Sequence, residues 1–241
     1  LGVAQYTQVD NESCFSGGFS HPYVLGKVVR LALAVGTELL FSPVRHPQSN
    51  GYVERFHQDY DRHVWQGTYL ANLDDVQSQA ERFFHNYRHR HDHSTLNEQT
   101  PRACHYQNLP WPLPEMITLA DERRPLYEGR VHIIRRVTES GTIRVLNVDW
   151  HVPGFDPLKG VWATLELGVD GAKLSIYDGA PDAHPRQCLV SYPFPLQEAV
   201  QLRPGGKMSI NKQRRIRKRL LLSTVARKTG SFTQRLFFTM F

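Results

Sequence analysis

The chain has 241 residues, room for one large domain or two small ones at roughly 150 residues each. Its 40% hydrophobic and 11% aromatic content excludes wholesale disorder, and no apolar run reaches the roughly 18 residues of a transmembrane helix. The formal charge of +6 is uneven: from Arg203 onward there are 11 basic residues and no acidic ones, leaving 18 of the 29 basic residues against all 23 acidic ones before it. A basic run of that kind suits phosphate neutralisation, though it equally suits a solvated tail. Cys14, Cys104 and Cys188 are odd in number and far apart, which argues against a disulfide framework and for a reducing, cytoplasmic setting. Leu1 is neither an initiator Met nor the start of a signal segment, so the sequence reads as a piece of a longer chain.

Residues 3–9 suit a strand that ends at Asp10-Asn11-Glu12, before a Gly17-Gly18 loop. From Tyr23 to Val35, Val24, Val28, Leu31, Ala32 and Val35 recur at helical spacing, and Gly36 supplies a stop. Residues 38–41 read as a short buried strand. A loop with Pro43 and Pro47 follows, in which Ser49 or Asn50 can cap a helix carrying Val53, Phe56, Tyr60 and Val64. A further helix starts near Leu73, with Asp74 and Asp75 in its first turn and an apolar stripe of Leu73, Val76, Ala80, Phe83, Phe84 and Tyr87. Four prolines between Tyr106 and Pro125 indicate a linker. Beyond it the pattern changes to period two. Val131, Ile133 and Val137, then Ile143 and Val145 with Trp150, then residues 161–165 and 173–177, predict strands closing into a small β-barrel over residues 128–194.

Asp10 stands at a strand end and Glu54 in the first turn or so of a helix. Two carboxylates on such elements could share Mg²⁺, or could merely cap a turn and complement a helix dipole. Further residues are more specific. Asp10-Asn11-Glu12, Leu39-Leu40-Phe41-Ser42-Pro43 and His46-Pro47-Gln48-Ser49-Asn50-Gly51-Tyr52-Val53-Glu54-Arg55-Phe56-His57 resemble the integrase core of retroviral-type integrases and bacterial insertion-sequence transposases. Phe84-His85-Asn86-Tyr87-Arg88-His89-Arg90, with Leu96 and Thr100-Pro101, is similar to the segment that closes that core. The resemblance covers about residues 3–103, and the part from Glu128 more weakly resembles the small barrel that follows such cores.

What the resemblance implies is an α/β, ribonuclease-H-like core using two-metal phosphodiester chemistry on DNA, with Mg²⁺ or Mn²⁺ held by two Asp and one Glu. Asp10 matches the second of these and Glu54 the third. The first belongs several tens of residues upstream, and only nine residues precede Asp10. The expectation is therefore a partial core that does not join DNA strands alone. The implied DNA-facing residues are Asn50, Arg55, Gln58 and Arg62, and on charge also Arg214, Arg215, Arg217, Lys218 and Arg219. A homo-oligomer on paired DNA ends and a bacterial, nucleoid-associated location follow from the same resemblance. The expected divisions are a partial core over residues 1–105, a linker over 106–127, a barrel over 128–195 and a basic tail over 196–241. His85, His89, His91 and His93 read better as a polar helix end beside DNA than as a zinc site, since no cysteine pair lies near them. Two rival readings are a non-catalytic DNA-binding or assembly module, and the product of a decayed mobile element.

Overall fold

The computed structural model describes residues 3–11, 22–46, 49, 51–107, 123–154 and 156–203. The architecture is mixed α/β, and the chain divides into two compact units, Leu1–Arg45 with Trp111–Thr239, and His46–Pro110 with Met240–Phe241.

The first unit is built on strands β1 (Tyr6–Val9), β2 (Glu38–Phe41), β3 (Leu126–Tyr127), β4 (Gly129–Arg136), β5 (Thr142–Val145), β6 (Val148–His151), β7 (Gly160–Gly168), β8 (Gly171–Tyr177), β9 (Cys188–Phe194) and β10 (Val200–Gln201), with one helix, α1 (Lys27–Val35). Six strands form one sheet in the order β1-β2-β4-β7-β8-β9. The β1–β2 and β2–β4 pairs are parallel, with Leu39 opposite Val131 and Phe41 opposite Ile133; β4, β7, β8 and β9 are antiparallel neighbours. Alternation gives the sheet two unlike faces. Leu39, Phe41, Val131, Ile133, Ala163, Leu165, Leu174 and Ile176 form an apolar core with Val29 and Leu33 of α1 and with Ile143 and Val145 of the β5–β6 hairpin. The residues between them, Glu38, Arg130, His132, Thr164 and Ser175, project to the other face.

The predicted strands are present, but the closed barrel is not: among the described residues β4, β7, β8 and β9 belong to an open sheet, and the free edge of β4 takes β2. Alternation fixes which side chains enter the core, and says nothing of whether the last strand returns to the first. Helix α1 starts at Lys27 rather than Tyr23, and its buried residues are Val29, Arg30, Ala32 and Leu33. It stops as expected at Gly36, whose φ of 90° a side chain would oppose. The expected linker is described only at its two ends. The tail beyond Arg203, with Arg214, Arg215, Arg217, Lys218 and Arg219, and also Cys14 and Asn50, lie outside the described residues.

The second unit is helical: α2 (Gly51–Tyr60) runs into a π-helical turn (Asp61–Trp65), followed by α3 (Leu73–His89) and α4 (Pro101–Gln107). Its core is Val64, Phe83 and Tyr87, against which Phe56, Tyr60 and Phe84 pack. Phe56 meets the Tyr87 ring edge-on at 5.2 Å, and Tyr60 meets Phe83 edge-on at 5.3 Å, geometries that aromatic quadrupoles favour. Asn72 caps α3 by accepting from the Asp75 amide at 2.9 Å, while the Asp75 carboxylate accepts from the Ala71 amide at 3.0 Å. Leu73, the first residue of the predicted stripe, is 77% exposed, because it precedes the stretch that faces α2. Helix α4 was not expected. Its signal is Thr100-Pro101, in which the Thr100 hydroxyl accepts from the Ala103 amide at 3.2 Å and proline occupies the first helical position.

Candidate active site

Asp10 directly follows β1 and is partly buried. The ends of β1 and β2 are tied beside it: the Ser42 amide donates to the Val9 carbonyl at 3.0 Å, and the Asn11 side-chain amide donates to the Ser42 carbonyl at 2.6 Å. Asp10 is thus carried at the end of a paired strand, which limits its freedom more than a loop position would. Glu54 lies in the first turn of α2 and is exposed. Asp10 belongs to the first unit and Glu54 to the second. Carboxylate oxygens are the hard donors that Mg²⁺ takes, so both residues fit that cation chemically. Among the described residues no three His, Cys, Asp or Glu side chains gather as a metal cluster.

Arg55, Gln58 and Arg62 are exposed on α2 and its π-helical continuation. Both arginines lean on Asp59, with Arg55 Nε 3.5 Å and Arg62 Nη1 3.9 Å from its carboxylate oxygens. Asp59 is a residue that the pattern reading passed over. Its side chain is only 7% exposed, because it lies three residues after Phe56 on the face that meets α3. That spacing was visible in the sequence, yet a carboxylate inside an apolar stripe carries no signal of its own partners. Burial, and then the Asp59 charge, push the Tyr87 hydroxyl up to about 12. His85 and His89, one turn apart on α3, stack on each other at 4.4 Å between ring centres.

A second polar group, also missed, lies on the charged face of the first unit's sheet. His132, fully buried on β4, holds Glu38 of β2 at 2.7 Å through Nε2 and Thr164 of β7 at 3.0 Å through Nδ1. Arg130 Nη2 donates to the other Glu38 oxygen at 2.5 Å, and Arg186 Nη2 donates to the Thr164 hydroxyl at 3.0 Å. Burial alone would raise the Glu38 pKa, but the His132 hydrogen bond and the Arg130 charge outweigh it and hold the carboxyl below its usual range. Burial lowers the pKa of His132, against the opposing pull of Glu38. A neutral imidazole satisfies every partner: Nε2–H donates to Glu38, and Nδ1 accepts from Thr164, whose oxygen accepts from Arg186.

Residues 35–101 match the family model described as integrase core domain. Over 60 residues the chain is 38% identical to the ORF3 protein of Spiroplasma virus SpV1-C74, which carries an integrase name. That alignment covers 25% of this chain and 17% of the viral protein, so the chain spans a minor part of its relative's length. Glu54, Arg55, Gln58 and Arg62 fall inside the matched segment, and Asp10 lies outside it. Residues 35–101 are thus similar in sequence to an integrase core domain. Among the described residues no helix is long and apolar enough to cross a membrane.

Proposed function

We propose that this chain is part of a transposase or integrase that cuts DNA and joins its strands. In this reading Asp10 and Glu54 are metal ligands, and the exposed arginines of α2 contact phosphates. The observation that carries the reading is that the Pro47-to-Arg55 motif, with Glu54 exposed at a helix start, lies within the stretch matched to the integrase core. Glu54 and Asp10 would hold a Mg²⁺ or Mn²⁺ ion. When bound, the ion supplies positive charge that activates an attacking hydroxyl and stabilises the leaving oxygen of a phosphodiester. Arg55 and Arg62 are steered by Asp59 and would position the DNA backbone, and Gln58 projects beside them. The expected fold around the pair is ribonuclease-H-like.

A complete site of this kind uses a third carboxylate, and two ligands load a divalent cation weakly. Strand joining by this chain alone is therefore not expected. The test incubates purified chain with labelled duplex DNA and Mn²⁺. No joined product supports the expected inactivity of this chain alone, whereas strand transfer that Glu54→Gln abolishes would support the family chemistry and overturn that inactivity. The second reading, a non-catalytic DNA-binding or assembly module, is favoured by the concentration of 11 basic residues from Arg203 onward.

A further inference from the structure

A cleft of about 340 Å³ opens within the helical unit, between α2 with its π-helical turn and α3. That volume is at the lower end of the roughly 300–1,000 Å³ of small-ligand pockets, so the occupant is about the size of a nucleotide. Asp59 is on its lining, its carboxylate oxygens 3.5 Å from Arg55 Nε and 3.9 Å from Arg62 Nη1. Phe83 and Tyr87 supply aromatic walls, Asn86 brings an amide, and Arg82 and Arg90 supply guanidinium groups. The backbone beside Asp59 is irregular. The π-helical turn begins two residues later and is braced by His63 Nδ1 against the Asp59 carbonyl at 2.7 Å, an interruption that recurs at ligand sites.

The chemistry narrows the ligand. A carboxylate offers two parallel acceptors and wants two parallel N–H donors. Among the nucleobases, guanine offers that pair on one edge, through N1–H and the N2 amino group, whereas adenine and cytosine set an acceptor beside their amino group. Asn86 can donate to the guanine O6, and the aromatic walls suit a flat ring. Arg82 and Arg90 on the same lining disfavour a lysine or arginine side chain as occupant, and they match an anionic phosphate.

We propose that this cleft takes the guanine base of an unpaired nucleotide, with Asp59 reading its N1–H and N2 edge and Arg82 and Arg90 facing its phosphate. The proposal takes its nucleotide source, a DNA strand, from the DNA-acting function above; the base recognition stands on the cleft alone.

The experiment titrates the full chain with a short single-stranded DNA carrying one guanine, the same strand carrying inosine, dGMP and dIMP. Inosine keeps N1–H and O6 and lacks only the N2 amino group. The expected result is guanine over inosine by about tenfold, a discrimination of about 1.4 kcal/mol, in both the strand and the monomer pairs. Asp59→Asn, close in shape, should erase that preference, while Arg82→Ala should weaken all four ligands by a similar factor and keep it. A thermal melt separates lost binding from lost folding in each variant. Equal binding of guanine and inosine, or a preference that survives Asp59→Asn, overturns the proposal. Preference seen with dGMP but no binding of the strand overturns DNA as the source. Absence of strand joining, by contrast, bears only on the proposed function.

Discussion

The Glu38 carboxylate and the His132 imidazole, 94 positions apart in the chain, meet at 2.7 Å on adjacent strands. Parallel pairing of β2 with β4 puts Leu40 opposite His132, so that Glu38 lies diagonally across from it, on the face away from the apolar core. The pair joins the two stretches of chain that make the first unit's sheet. Both groups are withdrawn from water and depend on each other's ionisation state.

Acid should loosen this unit in two stages. His132 has a folded pKa below its unfolded value of about 6.5, so its contribution is complete above about pH 6.5 and declines as pH falls below it. Glu38 has a depressed folded pKa, so its contribution is complete above its unfolded value and is lost as pH falls through the folded one. Urea denaturation at pH 7.5, 5.5 and 4 should show a monotonic loss of stability. In Glu38→Gln the loss below pH 5 should shrink, at a cost of about 3 kcal/mol at neutral pH, because the buried Arg130 then keeps only the longer 3.9 Å contact with Glu166.

A comparable pair ties α1 to the end of the sheet. Arg30 is 1% exposed and engages both Glu198 oxygens, one of them from Nη1 at 2.9 Å, as well as the carbonyls of Leu25 and Arg124. Arg123 lies 3.2 Å from Glu198, which keeps a cation partner if Arg30 is removed. Glu198→Ala, which strands a buried guanidinium, should therefore cost more than Arg30→Met, by about 1–2 kcal/mol in chemical denaturation.

In the helical unit, Phe83→Ala should cost about 3 kcal/mol, because the ring fills the space between α2 and α3. Leu73→Ala, at an exposed helix start, should change stability by less than about 0.5 kcal/mol. Equal costs for the two would contradict the packing described.

For the basic tail, DNA affinity measured against salt is the direct probe. Removing residues 204–241, with their ten basic side chains, should flatten the slope of log K against log salt, since fewer phosphates are neutralised. An unchanged slope would clear the tail of DNA contact.

Much of the local architecture was legible in the sequence. β2, the stop at Gly36, α2 and most of α3 follow from the spacing of apolar residues and from capping chemistry, which act over a few residues. What escaped depends on distant partners. Period-two alternation in residues 129–177 announces strands, but the parallel seam between Phe41 and Ile133 that keeps the sheet open is not written in either strand. Arg30 and Asp59 interrupt apolar stripes, and their meaning lies respectively in Glu198, far along the chain, and in a cleft made with another helix. At the candidate site, Glu54 was legible because the motif around it is dense with specific residues. Its pairing with Asp10 rests on the family resemblance.

That pairing is tested most directly by Mn²⁺ binding to the full chain, followed by electron paramagnetic resonance of the free ion. If Asp10 and Glu54 share a cation, Asp10→Asn and Glu54→Gln should each weaken Mn²⁺ binding by about tenfold or more, and the double variant should be little worse than either single one. Mn²⁺ binding that is the same in the parent chain and in both single variants would contradict a shared metal pocket.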